Sequence, residues 1–209
     1  MNFKIKRIVT VIMCIVLIVF TLVGCGNNKD SKIEQKSEVK LSKDAKILVV
    51  YFSWSGHLKT MSNWIGEETG GDVVRVVTKE EYPKDYDKTA DRAKNEKDEG
   101  KRPEIIVEID KDKFSQYDTI FFGFPIWWYD MPMAMCTFLE SYDFSKKTII
   151  PFFSHEGSSD GASSLDTLEK LAKGADVKKD NPLSIKGGIV DSSKDKVVKW
   201  VKDLGYNKK

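Results

Sequence analysis

The 209-residue sequence has no G-x-x-x-x-G-K-[ST] loop, which excludes the P-loop way of holding a nucleoside triphosphate. It has no G-x-S-x-G either, so the strained serine elbow of many hydrolases is missing, and "YFSWSG" lacks the first glycine. Ser154-His155-Glu156 does not replace it, because a catalytic triad is assembled from separate loops while chain neighbours point in different directions. Histidine is scarce. His57 and His155 are the only two, "HEGSS" is not H-E-x-x-H, and no zinc site follows. We therefore expect no catalytic side chain of these classes and no metal. An excess of one charge is also missing: 34 Lys and Arg stand against 32 Asp and Glu, a net of +2, which gives no electrostatic case for nucleic acid.

A long apolar run is lacking too. Residues 8–23 are apolar apart from Thr10, Cys14 and Thr21, shorter than the roughly 20 residues of a spanning helix. Lys4, Lys6 and Arg7 precede the run, and Leu22-Val23-Gly24-Cys25 closes it, as in a secretion signal. The closing quartet resembles the lipobox of bacterial lipoproteins. That resemblance implies a signal peptide over residues 1–24, cleavage before Cys25 and lipid on its thiol; the alternative is an uncleaved membrane anchor. Either way the remainder is expected at the extracytoplasmic face of the cell membrane. Loss of Lys4, Lys6 and Arg7 from the 34 basic residues leaves 31 against 32 acidic ones, a net of −1 with no polybasic patch for anionic lipid. Cysteine is equally thin. With Cys14 in the signal and Cys25 acylated, only Cys136 remains and no intrachain disulfide can form. Its setting, "MPMAMCTFLESY", reads as a helix facing the core with a buried, inert thiol.

What is present begins after a polar tether. Residues 25–44 carry the lipidated cysteine and then "GNNKDSKIEQKSEVKLSKD", charged and without aromatics, a flexible spacer. From Ala45 to Lys209 the pattern is that of one domain. Strand-length apolar runs recur at 47–52, 73–77, 118–124 and 147–153, with a weaker one at 183–190. Their β-branched and aromatic content, apolar on both faces, is that of buried parallel strands. Helical patterns lie between and after them at 58–68, 85–99, 133–142, 162–172 and 194–204. This alternation predicts an α/β fold, a doubly wound five-stranded parallel sheet with helices on both faces. Residues 101–113 are the least patterned, with a short extra strand at 105–109 as one reading.

Ligands of such sheets bind outside the carboxyl ends of the strands. Three turns there carry chemistry. The first, "YFSWSGHLKT", leaves a buried strand through Ser53, Ser55 and Gly56 and opens a helix whose free N–H groups suit a phosphate. Serine and glycine are equally expected there as turn formers and caps. The second, "GFPIWWYDMPM", puts Trp127, Trp128 and Tyr129 in an irregular loop, where large rings either plug the core or wall a flat ligand. The third, "FFSHEGSSDG", offers backbone and polar groups to the edge of a heterocycle.

Together "YFSWSG", "GFPIWW" with "TFLESYDF", "TIIPFFSHEGSS" and "EEYPKDYDKTADRAKNEKDEGKRPEI" are similar to the flavodoxin-like proteins found as short bacterial oxidoreductases and lipoproteins. The resemblance covers nearly all of residues 45–209 and implies a flavin mononucleotide (FMN) cofactor. By it, Ser53, Ser55, Gly56, His57 and Leu58 would surround the ribityl phosphate, with Thr60 contributing from the helix start. Pro125, Ile126, Trp127 and Trp128 would run along the isoalloxazine, and Ser154, His155, Glu156 and Gly157 would face its pyrimidine edge. One departure stands out. The family turn commonly reads S-x-[ST]-G-N-T, and His57-Leu58 here removes a hydroxyl, which implies a weakened grip on phosphate. The implied function is an FMN-dependent redox protein of the cell surface, carrier or enzyme, exchanging electrons with a membrane quinone or another redox protein. The competing reading is a flavin-free binding or scaffold module on the same fold.

Overall fold

The structure is a computed structural model that describes residues 46–157, 159–206 and 208. The leader, Cys25, the tether and Ser158 lie outside the described residues. Within them no helix is long and apolar enough to cross a membrane.

β1 (Ile47–Phe52) sits between β2 (Asp72–Thr78) and β4 (Thr119–Pro125), and β5 (Thr148–His155) pairs with the far side of β4, all in parallel. On the outer side of β5, β6 (Asp176–Val177) pairs with its beginning and β7 (Leu183–Lys186) with its end. The five-strand parallel frame expected from sequence is therefore β2-β1-β4-β5-β7, enlarged by two short pieces to seven strands. One is β6. The other is β3 (Ile105–Val107), which joins the edge of β2 in the antiparallel sense. Its residues fall within the short extra strand suspected at 105–109.

Alternate residues of each central strand feed two cores. Leu48, Val50 and Phe52 of β1 join Ile120, Phe122 and Phe124 of β4 on one face, with helices α4 (Met133–Ser141) and α5 (Ala162–Leu171) packed there. Val49 and Tyr51 join Phe121, Ile150 and Phe152 on the other, under α1 (His57–Thr69) and α6 (Lys194–Asp203). Both faces are buried, so the strands read as continuous apolar runs. Two further helices complete the set: α2 (Tyr86–Asp98), capped by Asp85, whose carboxylate accepts the Lys88 N–H at 3.0 Å, and the single-turn α3 (Lys111–Ser115). The expected fifth run, 183–190, is β7 only as far as Lys186. Gly187-Gly188 then turn it into a 3-10 helix (Gly187–Ser192).

The chain leaves β1 toward β2 on one side and leaves β4 toward β5 on the other. The carboxyl ends of β1 and β4 thus flank a topological switch point, where the crevice of such sheets opens.

Candidate functional site

The turn after β1 is built by short polar contacts. Ser53 is buried, and its hydroxyl accepts the Gly56 N–H at 3.1 Å while its carbonyl accepts from Arg75 of β2 at 2.7 Å. Gly56 then adopts φ +97°, a left-handed conformation open to glycine without strain, and becomes the N-cap of α1. Among the described residues no side chain caps this 13-residue helix, and no acidic residue stands in its first turn, so its leading N–H groups and positive dipole end stay available to a ligand. Ser55 is exposed at the same place, and His57 is the first helical residue.

The turn after β4 is more strained. Trp127 and Asp130 exchange backbone hydrogen bonds of 2.7 and 3.0 Å, closing a tight turn over Trp128 and Tyr129. Those two residues have φ of +50° and +65°, values that cost non-glycine residues about 1–3 kcal/mol each. Asp130 offsets the cost. Its carboxylate is buried, accepting the Met131 N–H at 2.7 Å and the Thr167 hydroxyl of α5 at 2.9 Å. The Trp128 indole donates to the Ala90 carbonyl of α2 at 2.9 Å, tying the turn to that helix. Trp127 points the other way, its ring held edge-on by Phe52 at 5.4 Å and Tyr82 at 5.1 Å. Tyr82 is itself fixed. Its hydroxyl donates to buried Glu96, which also accepts from Arg92 Nε at 2.8 Å, and the Arg92 guanidinium lies 4.2 Å over the Tyr82 ring. Burial and the Glu96 carboxylate together push the Tyr82 phenol well above its ordinary pKa.

The turn after β5 is locked to its neighbour through Ile126 N–H and Ser154 O at 2.8 Å. His155 follows with a buried Nδ1 that has no hydrogen-bond partner among the described residues. Gly157 takes φ +103° with open space where a Cβ would stand.

These turns enclose one cleft of about 320 Å3. Of the residues expected from sequence, Ser55, His57, Pro125, Ile126, Trp127 and Trp128 line it, as do Ser154, His155 and Glu156. The others take different places. Ser53 and Gly56 shape the first turn, Thr60 is half-buried with its N–H on the Gly56 carbonyl at 3.0 Å, and Gly157 is exposed. Leu58 requires a correction. Its side chain is 1% exposed in the core with Met61 and Ile65, so it does not face the turn, and only its backbone N–H remains there. Sequence reasoning also missed one wall. Tyr86, Thr89, Ala90 and Ala93 of α2 close the cleft, with Trp54 of the first turn donating to the Pro83 carbonyl at 2.9 Å. The helical spacing of 86, 89, 90 and 93 puts these on one face, a signal that was present but not tied to the cleft.

A larger open hollow of about 860 Å3 lies elsewhere, and charges of its lining are held in ion pairs: Lys79 with Glu104 and Arg92 with Glu96 within it, and Arg102 with Glu140 beyond it. Cys136 is buried in α4, and burial pushes its thiol up to about 12, which makes it unreactive. Among the described residues no cluster of His, Cys, Asp and Glu could hold a metal ion.

The profile of the family described as Flavodoxin matches residues 46–204. A flavoprotein from Bacteroides uniformis ATCC 8492 is 30% identical, with 76% of this chain and 98% of that one covered at a TM-score of 0.64. A flavoprotein from Bacteroides eggerthii DSM 20697 is 26% identical over 78% and 99% of the two chains, TM-score 0.62. A flavoprotein from Lactobacillus acidophilus NCFM, solved in complex with FMN, is 27% identical over 73% and 97%, TM-score 0.56.

Proposed function

Because the chain belongs to the flavodoxin family, we propose that residues 45–209 bind one FMN noncovalently in the cleft at the switch point and act as a redox protein. The observation that carries this is the convergence of three turns and one helix face on a single cleft beside an uncapped helix start. The residues fit the group. The leading N–H groups of α1 and the Ser55 hydroxyl can hold a phosphate, and Gly56 keeps the approach free of a side chain. Trp127 and Trp128 give the ring an aromatic border, and the buried, unpaired Nδ1 of His155 is a polar atom that the edge of a heterocycle can satisfy. Bound there, FMN supplies transfer of one or two electrons at its ring. The protein's part is to hold the ring against Trp127, whose plane Tyr82 and Phe52 fix, and to keep water off that face.

Leu58 no longer argues for a flavin-free module, since its side chain lies in the core rather than at the phosphate turn. The address belongs to the same proposal. Lipid on Cys25 would hold the domain at the outer face of the membrane through the 25–44 tether, with a membrane quinone or a surface redox protein as electron partner. Soluble nicotinamide is not expected there. Absorbance of the purified protein, followed by titration of the flavin-free form with FMN and with riboflavin, tests the cofactor. FMN must bind more tightly; equal affinity would remove the phosphate role of the first turn. The mass of the mature N-terminal peptide tests the anchor: a chain that begins at a lipid-modified Cys25 is expected, and an unmodified Cys25 or an uncleaved leader would remove the lipid anchor.

A further inference from the structure

The turn after β4 has fixed ends and a strained middle. Trp127 is held by its backbone exchange with Asp130 and by the Tyr82 ring, and Asp130 is held by Met131 and Thr167. Between them stand Trp128 and Tyr129, at φ +50° and +65°, with 41% and 58% of their surfaces exposed. Among the described residues the Tyr129 side chain makes no hydrogen bond, ion pair or ring contact, so no such bond offsets its strained backbone.

Trp128 ties this middle to the domain, and its polar and cationic contacts all go to α2. The indole N–H donates to the Ala90 carbonyl at 2.9 Å, the Lys97 ammonium donates to the Trp128 carbonyl, and the Lys94 ammonium lies 5.6 Å from the indole ring. Lys94 is shared with Asp98, so its hold is the weaker one. Ala90 also lines the cleft, which places the ties across the side that α2 closes. Lys97 does not line the cleft and can act on it only through Trp128. We propose that residues 128–129 form a hinged lid over the α2 side of the cleft, and that Lys97 is a positioning residue that latches it shut through Trp128.

A strained segment held by a few hydrogen bonds has two states within reach, because the ties and the backbone cost are of similar size and opposite sign. Opening lets 128–129 return to ordinary φ and parts Trp128 from Ala90. Closing restores the wall. What passes the lid rests on the FMN reading above: a flat aromatic ring enters and leaves on this side. The latch itself does not depend on that reading. A lid and a fixed wall differ in their kinetics. The same ties close the empty and the filled cleft, so weakening them raises entry and release by one factor and leaves affinity unchanged. A Trp128 that only stacks on its ligand would lose affinity through faster release, with entry unaltered.

The test compares the full chain with its Lys97→Met variant. Hydrogen exchange of the indole N–H groups, followed by NMR, needs no ligand. Exchange at Trp128 should be about two- to tenfold faster in the variant, the range for losing one hydrogen bond. The indoles of Trp54 and Trp200, which donate to the Pro83 and Asn181 carbonyls, are the controls and should keep their rates. Stopped-flow flavin fluorescence with FMN gives the second readout: association and dissociation should both rise by about two- to tenfold, with the dissociation constant unchanged. Trp128→Phe, which keeps a ring but has no N–H to donate, should also speed association. Trp128 exchange that Lys97→Met leaves unaltered overturns the latch. Faster exchange with an unchanged association rate overturns the lid and leaves FMN as the cofactor. An absence of FMN binding removes the cofactor reading, while the indole exchange still upholds or overturns the latch.

Discussion

Replacing Leu58 by threonine restores the hydroxyl that the family turn commonly carries, so a reading of the motif alone expects tighter FMN binding. The structure predicts a loss of stability instead. Leu58 is 1% exposed and packs with Met61 and Ile65 under the sheet face that carries Val49 and Tyr51. Leucine-to-alanine changes at such sites cost about 2.7–5.0 kcal/mol. Threonine keeps one methyl but brings a hydroxyl into an apolar setting, a penalty of about 1–3 kcal/mol where no partner is found. With about 0.8 kcal/mol returned by the retained methyl, a net destabilisation of about 3–7 kcal/mol results, or a melting temperature lower by about 6–28 °C for a domain of this size. The affinity of FMN relative to riboflavin should not change. A new hydrogen bond to phosphate would be worth about 1.5–3 kcal/mol, at least tenfold in that ratio, so the two outcomes are well separated. Thermal melting by circular dichroism and paired flavin titrations measure both quantities on one preparation. A Leu58→Thr protein that melts with the parent and gains tenfold for FMN alone would refute the placement of this side chain.

Asp130→Ala should cost about 1–3 kcal/mol, because the Met131 N–H and the Thr167 hydroxyl lose a buried acceptor, and the strained turn they support should loosen. Chemical denaturation and solute quenching of tryptophan emission would show it; unchanged values in both would mean that the turn holds itself. Folding stability should also fall above about pH 10. The phenol of Tyr82 is raised by burial and by Glu96, so its contribution is complete below the unfolded tyrosine value of about 10 and is lost as pH climbs beyond it. Denaturation midpoints across that range should be less steep in Tyr82→Phe by about 1.4 kcal/mol per pH unit, and an identical slope would exclude Tyr82 as the group responsible.

The central strands were legible because they are buried on both faces, which forces runs such as Ile47–Phe52 to be apolar throughout. Helix limits fell within a residue of their observed ends, with Asp85 acting as a cap rather than as part of its helix. The two-residue β6 was not legible, since a bridge that short exists only through its pairing with Thr148 and Ile149. The break after β7 depends on Gly187, whose need for glycine comes from the approach of His57 and Glu156, groups far away in the chain. Leu58 was misread for a related reason. A motif fixes a position in the turn, but the inward face of α1 is set by the sheet beneath it. The α2 wall was missed because nothing local to 86–93 announces that the β4 turn will fold over it.

The lateral borders of the sheet have a bearing on how many copies can be crowded together. At one border β3 offers three residues, run antiparallel and followed by Glu108. At the other, β6 and β7 are interrupted by 178–182, a stretch with two lysines and a proline. An extended segment from a neighbour could not zip along either margin for more than a few residues before meeting a charge or a break, which is how natural sheets avoid open-ended polymerisation. Ile106, 53% exposed, is the weak point of this protection, and its Glu104 and Glu108 flanks act as gatekeepers. Under the proposed lipid anchor the copies would be concentrated in two dimensions, where that safeguard matters more than in bulk solvent.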